Sequence, residues 1–216
     1  MIHVVIADDH PIVREGLRRV LEKEPDIHVA GEAASGAEVL PVVRSASADA
    51  VILDISMPGG GGIEALGALK REFPMLPVLM LSMYPERQYA VRCLKAGASG
   101  YLTKDTAQSE LVHALRKVLQ GRRYVSAALA EHLAEGLDAG TVKAPHELLS
   151  DREYQVMMLF ARGSTVTRIA GELSLSVATV NTYRARVLAK LGLTATAEII
   201  HYAFSHHLVE GSSPSP

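Results

Sequence analysis

Cysteine is almost absent. Cys93 is the single one in 216 residues, so no internal disulfide can form, and no Cys/His pair has zinc-finger spacing. In "AVRCLKAG" it reads as a small buried apolar residue. Long apolar runs are also missing: none reaches the roughly 18 residues that a membrane helix needs. The N-terminus "MIHVVIADD" meets acids within its first turns and has neither a basic region nor a cleavage pattern, so no signal peptide is expected. Basic charge is not in excess. The formal net charge is −2, which excludes a polycation. Low-complexity sequence is confined to the tail "EGSSPSP", residues 210–216, read as flexible. These absences describe a cytosolic chain with no membrane partner, expected in the cytoplasm.

What is present is an ordinary globular balance, 48% hydrophobic and 21% charged, in a length that suits two small domains. The first 120 residues alternate between two textures. Apolar, often β-branched runs stand at 3–7, 27–33, 50–54, 77–81 and 99–103. Helix-period segments lie between them at 11–23, 36–45, 61–72, 85–96 and 106–119. In the last, Leu111, Leu115, Val118 and Leu119 form one apolar stripe. Strand–helix alternation predicts a parallel sheet covered on both faces. Five strands and five helices make a flavodoxin-like, doubly wound α/β domain over residues 1–121.

Residues 122–147 change character and read as a linker with one short helix at about 125–137. After 150 the strand texture vanishes. Ser150 and Glu153 form a capping box that opens a helix closed by Gly163. A short helix at 166–173, a tight turn at 174–176, a third helix at 177–192 and a fourth at 194–208 follow. The third carries Val177, Val180, Val187, Leu188 and Leu191 inward, and the fourth has Ile199, Ile200, Ala203, Phe204 and Leu208 on one side. Short helix, tight turn and basic helix read as a helix-turn-helix inside a four-helix domain over 148–209. Charge agrees. Residues 1–121 hold 13 Lys/Arg against 15 Asp/Glu, whereas Arg162, Arg168, Arg184, Arg186 and Lys190 face Glu172 alone between 162 and 190. That local basic face points to nucleic acid.

The strand ends carry the chemistry. The first apolar run ends at Asp8 and Asp9, the third at Asp54, the fourth at Ser82, and the fifth is followed by Lys104. In a doubly wound sheet these residues share one rim. The acid pair alone would also serve to cap a helix starting near Pro11. Three carboxylates in one pocket, however, need positive charge among them. Their oxygens suit a hard cation such as Mg2+, Lys104 adds a fixed charge, and Ser82 adds a hydroxyl. Such a pocket suits a phosphoryl group. A carboxylate can also be the nucleophile, and Asp54, in "VILDISMPGG", is the candidate.

Residues 1–120 resemble the receiver domain of two-component response regulators, with the "DD" pair, "LDISMPG", the serine of "MLSMYPE" and the lysine of "GYLTKD" in order and spacing. The resemblance implies that Asp54 is the phospho-acceptor. It implies that Asp9 and Asp54 are direct Mg2+ ligands, with Asp8 acting through water and the backbone carbonyl of Ser56 completing the set. Ser82 is then the switch hydroxyl, Tyr101 its aromatic partner, and Lys104 the lysine that pairs with the phosphoryl oxygen. The four glycines 59–62 depart from the family's usual pattern.

Residues 148–209 resemble the LuxR-type output domain, through "LSDREYQVMMLFARG", "IAGELSLSVATVNTY" and "KLGL". The whole chain therefore looks like a NarL/FixJ-family response regulator. Off the apolar stripe of the third helix lie Thr179, Asn181, Thr182, Arg184, Ala185 and Arg186. Asparagine pairs with adenine and arginine with guanine, whereas Thr179 and Lys190 suit phosphate. By resemblance Asn181, Thr182 and Ala185 face bases. Ala178 and Tyr183 depart from the family's usual basic residue and histidine. The implied partners are a sensor histidine kinase, double-stranded promoter DNA, a second copy of the chain on activation, and RNA polymerase. Two other classes fit parts of the pattern: a phosphatase using Asp54 as nucleophile, and a constitutive DNA-binding regulator whose receiver only dimerises. Ser56, where a phosphatase would place a second acid, argues against the first.

Overall fold

The computed structural model describes residues 1–131, 144–206 and 208–209. The chain divides into two units, Met1–Asp138 and Ala139–Pro216.

In the first unit strands and helices alternate: β1 (Ile2–Ala7), α1 (Pro11–Leu21), β2 (Ile27–Ala33), α2 (Gly36–Ala46), β3 (Ala50–Asp54), α3 (Gly61–Glu72), β4 (Val78–Ser82), α4 (Glu86–Lys95), β5 (Gly100–Thr103) and α5 (Lys104–Leu119). All pairings are parallel, in the order β2-β1-β3-β4-β5. Every residue of β3 and β4 is buried, which is why these runs read as continuously apolar: a central parallel strand is covered on both faces. Val4, Ile6, Ile52, Leu79 and Leu81 pack against Leu17 and Leu21 of α1 and Leu111, Leu115 and Val118 of α5. Leu119, expected on that stripe, is partly buried beside it. The order of strands reverses between β1 and β3, and the crevice at such a reversal is where doubly wound sheets bind ligands.

The five expected strands and five expected helices are all present, with ends displaced by one or two residues. The helix expected at 106–119 starts at Lys104, because Thr103 still has extended backbone and the chain turns helical directly after it. The segment read as linker does more than connect. After a left-handed Gly121, Tyr124 pairs in parallel with Gly100 at the open edge of β5. Its N–H donates to the Ser99 carbonyl (2.9 Å), and its carbonyl accepts from the Tyr101 N–H (3.2 Å). Residues 127–131 are helical, with Leu129 buried. The remainder of the helix expected at 125–137 lies outside the described residues.

The second unit starts with a 3-10 turn (Pro145–Leu148), followed by α6 (Asp151–Ala161), α7 (Val166–Glu172), α8 (Val177–Leu191) and α9 (Thr196–Ser205). The capping box is present: Ser150 Oγ accepts from the Glu153 N–H, and Glu153 accepts from the Ser150 N–H at 2.8 Å. Thr165 and Ser176 cap α7 and α8, and Gly192 closes α8 in left-handed conformation. From Arg152 to Ala161 every residue of α6 is buried, so it is the core helix against which the others pack. Val180, Val187 and Leu191 point inward from α8, but Val177 is 47% exposed and Leu188 only half-buried. Val177 sits in the first turn, before the helix meets α6. The fourth helix runs over Thr196–Ser205 rather than 194–208; at its start the Glu198 carboxylate accepts from the N–H groups of Thr194 and Ala195, at 2.6 and 3.0 Å, as its cap. Ile199 and Ala203 are buried, Ile200 is half-buried, Phe204 is exposed, and Leu208 falls beyond the helix. Among the described residues no helix is long and apolar enough to cross a membrane.

Candidate functional site

β1, β3, β4 and the β5–α5 junction deliver their last residues to one rim. Asp8 follows β1 and is fully buried; Asp54 closes β3 and Ser82 closes β4, each 1% exposed. Lys104 opens α5 and reaches across the strand ends. Its Nζ lies 2.7 Å from Asp8 Oδ2 and 3.1 Å from Asp54 Oδ2. Asp9 is partly exposed beside them.

Burial is the dominant force on Asp54 and pushes its carboxyl up to about 7; Lys104 opposes this, and the Asp8 and Asp9 charges add to it. Burial works to lower the Lys104 ammonium, but Asp54 and Asp8 together outweigh it and hold it above its ordinary value. One ammonium is thus shared by two carboxylates, with a third, Asp9, beside them. Asp8 Oδ2 and Asp54 Oδ2 are buried oxygens held by the Lys104 ammonium, and the buried Asp9 Oδ1 lies against His10 Nδ1. Buried carboxylate charge is costly unless it is compensated, and a further cation would relieve the excess of negative charge over the shared ammonium. Ligand atoms of Asp8, Asp9, His10 and Asp54 all lie within 4.8 Å of one another. Oxygen donors dominate this set, and it fits a hard divalent cation that keeps part of its water.

His10 is the member that the sequence reading missed, although it adjoins the acid pair. Its Nδ1 is 2.8 Å from Asp9 Oδ1 and 3.3 Å from Asp8 Oδ1, and its N–H donates to Asp8 Oδ1 at 2.8 Å.

The glycine run after Asp54 has a steric reason. Gly59, Gly60 and Gly61 have φ of +69°, +111° and +74°, conformations that only glycine adopts cheaply. A Cβ on Gly62 would collide with the carbonyl oxygen of Asp54. The run lets the chain fold back against the end of β3, so close approach rather than looseness accounts for it. Ser56 lies half-buried in the same turn.

Ser82 and Tyr101 meet at a third residue that the sequence did not reveal. Ser82 Oγ accepts from the Tyr84 N–H at 3.0 Å, and the Tyr101 hydroxyl donates to the Tyr84 carbonyl at 2.8 Å. Tyr101 is fully buried, and burial raises its phenol above the ordinary value.

In the second unit α8 turns Thr182, Ala185 and Arg186 to solvent, with Thr179, Asn181 and Arg184 partly exposed. Thr179 Oγ1 is 2.7 Å from Ser176 Oγ at the cap, and Thr182 Oγ1 donates to the Ala178 carbonyl at 3.1 Å. The Arg186 guanidinium lies over the Tyr183 ring at 6.0 Å. Lys190 differs from the rest: its Nζ is 2.6 Å from Glu153 and 3.5 Å from the Leu148 carbonyl.

Residues 4–116 match the family described as response regulator receiver domain, and residues 147–203 match bacterial regulatory proteins, luxR family. Response regulator UvrY of Escherichia coli is 37% identical over 216 residues, spanning 100% of this chain and 99% of that protein. Response regulator GacA of Pseudomonas aeruginosa is 37% identical over 214 residues, spanning 99% of this chain and 100% of that protein. The solved structure of RcsB from Salmonella enterica serovar Typhimurium, bound to promoter rprA in the presence of phosphomimetic BeF3-, is similar at 32% identity and TM-score 0.65. The match covers 93% of this chain and 97% of that one.

Proposed function

Since the chain belongs to the NarL/FixJ-family response regulators, with a receiver domain followed by a LuxR-type DNA-binding domain, we propose that it is a phosphorylation-controlled transcriptional regulator acting through Asp54. The observation that carries this reading is the Lys104 ammonium bridging the buried carboxylates of Asp8 and Asp54, with Asp9 within ligand distance of both.

A sensor histidine kinase is the donor. An Asp54 carboxylate oxygen attacks the phosphorus, the P–N bond of the phosphohistidine breaks, and the imidazole leaves with its electron pair. Asp9, Asp54 and the Ser56 carbonyl would hold Mg2+ directly, with Asp8 behind them. The ion, when bound, supplies charge neutralisation at the phosphoryl oxygens. Lys104 exchanges its ion pair with Asp54 for one with the phosphoryl group. Ser82 exchanges its bond with Tyr84 for a bond donated to a phosphoryl oxygen. Hydrolysis of the acyl phosphate by water returns Asp54. No external substrate is turned over.

The charge event biases a two-state element. Ser82 and Tyr101 both hold Tyr84, so moving one alters the support of the other and shifts the α4–β5–α5 face. Receivers (residues 1–121) then pair, and two output domains (148–209) read a paired half-site on promoter DNA through α8. The similar RcsB was solved on promoter DNA in the presence of a phosphomimetic, which supports promoter binding by the phosphorylated form. RNA polymerase is the downstream partner, and the cytoplasm the compartment.

The test is intact mass after incubation with acetyl phosphate and Mg2+, for wild type and Asp54→Asn, followed by sedimentation. One phosphoryl adduct on wild type alone, with a shift toward dimer, is the expected result. A labelled Asp54→Asn variant would overturn the assignment.

A further inference from the structure

We infer that Arg14 is a positioning residue for the acidic pair: it fixes the peptide that joins Asp8 to Asp9 and so sets both carboxylates for the cation. The inference rests on the reading of that pair as a divalent-cation site.

Arg14 is the fourth residue of α1, six positions after Asp8. Its Nη1 donates to the Asp8 carbonyl at 2.6 Å. That carbonyl belongs to the peptide linking Asp8 and Asp9, so its direction governs where both side chains start. The other end of Asp8 is tied as well, since its N–H donates to the Ala33 carbonyl of β2 at 3.1 Å. Arg14 is itself held: its Nε donates to Glu32 Oε2 at 3.0 Å. Glu32, on β2, is gripped a second time by Arg18, whose Nε donates to Oε1 at 3.0 Å. The Arg14 side chain is only 15% exposed. Burial works to raise the Glu32 carboxyl, but the two guanidinium groups outweigh it and hold it below its ordinary value. The chain Arg18–Glu32–Arg14–Asp8 carbonyl therefore runs from the outer face of α1 to the rim. A planar fork makes both Arg14 bonds at once, which an ammonium on a single stem does not.

Charge and position pull in opposite directions here. Arg14 is a cation behind a cation site. If its charge were what mattered, removing it would tighten binding of a divalent ion. If it positions the acids, removing it loosens binding. Ligand-orienting partners of this kind typically contribute about 10- to 100-fold in metal affinity.

The test is titration of the full chain with Mn2+, an oxygen-preferring probe, followed by the electron paramagnetic resonance signal of the free ion. Arg14→Met and Arg14→Lys are each expected to bind about 10-fold more weakly than wild type. Glu32→Gln falls between them and wild type, with its metal-free circular dichroism preserved. Arg19→Met, which removes an exposed arginine paired with Glu15 on the same helix, binds as wild type. Equal or tighter binding by Arg14→Met, or unchanged binding by Glu32→Gln, would overturn the inference alone. If Asp9→Asn and Asp54→Asn also bound as wild type, the ion would lie elsewhere, and the reading of the site would fall with the inference.

Discussion

The Lys190 ammonium lies 2.6 Å from the carboxylate of Glu153, a side chain only 5% exposed. Lys190 comes from the C-terminal end of α8, and Glu153 from the first turn of α6. The same Glu153 oxygen also accepts from the Ser150 N–H at 2.8 Å, so one carboxylate caps a helix and anchors another. Lys190 continues to the Leu148 carbonyl. A lysine that the sequence offered as a phosphate contact is thus committed inside its own domain, where it fixes the exposed helix against the core helix.

This pair gives the second unit an acid limit. Burial works to raise the Glu153 carboxyl, but Lys190 and the Ser150 N–H outweigh it and hold it below its ordinary value. A carboxyl lowered by folding takes up its proton more readily in the unfolded chain. Its contribution is therefore complete above about pH 4.5 and fades as pH falls through the lower folded value. Glu153→Ala is expected to cost about 2 kcal/mol at neutral pH, since it removes a cap and an ion pair together. Thermal melts of wild type and variant from pH 7 to pH 3 check this: the two curves should approach each other on the acid side. A constant gap across that range would disprove the assignment.

The same pair shows where sequence reading stops. The sheet was legible because β3 and β4 are buried on both faces and so spell unbroken apolar runs. The rim was legible because each of those runs ends in a polar residue. What joins the rim to its surroundings was not. Arg14 and Glu32 stand 18 positions apart, and neither motif nor periodicity pairs them. Ser82 and Tyr101 both bond main-chain atoms of Tyr84, which any residue supplies. Val177 is apolar yet outward, because helix phase relative to α6 and not hydrophobicity decides which first-turn residue is covered. Tyr124 makes a single bridge to β5, too short for a strand to leave an alternating pattern.

That bridge explains Gly100. A Cβ there would lie 2.8 Å from both the Cβ and the carbonyl oxygen of Tyr124, and 2.9 Å from Leu79 Cδ1. Tyr124 is itself clamped to α5, through a hydrogen bond to Glu110 and the Lys117 ammonium over its ring at 5.5 Å. Ser126 adds a bond to Glu86 of α4. The segment cannot simply step aside, so Gly100→Ala should cost about 2 kcal/mol by overpacking. It should also speed tryptic cleavage at Arg122 and Arg123 as the segment lifts from the sheet edge. Unchanged melting and unchanged cleavage would mean that the edge is loosely covered.

The α8 arginines and Lys190 can be separated by salt. Protein–DNA affinity falls with the logarithm of salt concentration, and each phosphate neutralised adds about 0.9 to the slope. Arg186 is presented to solvent and Arg184 is partly exposed, so a phosphate can reach either guanidinium, and neutralising it there releases counterions. Lys190 already has its counter-charge in Glu153, so approach of DNA would have to break a 2.6 Å ion pair before gaining another. Removing Arg184 or Arg186 is then expected to weaken promoter binding and reduce the slope by about 1 for each phosphate that is no longer neutralised. Removing Lys190, as Lys190→Met, should leave the slope unchanged while lowering the melting temperature of the second unit. Fluorescence-anisotropy titrations on promoter DNA at several salt concentrations make the comparison. A Lys190→Met slope reduced as much as that of Arg186→Ala would return Lys190 to the DNA face and show that the ion pair opens on binding.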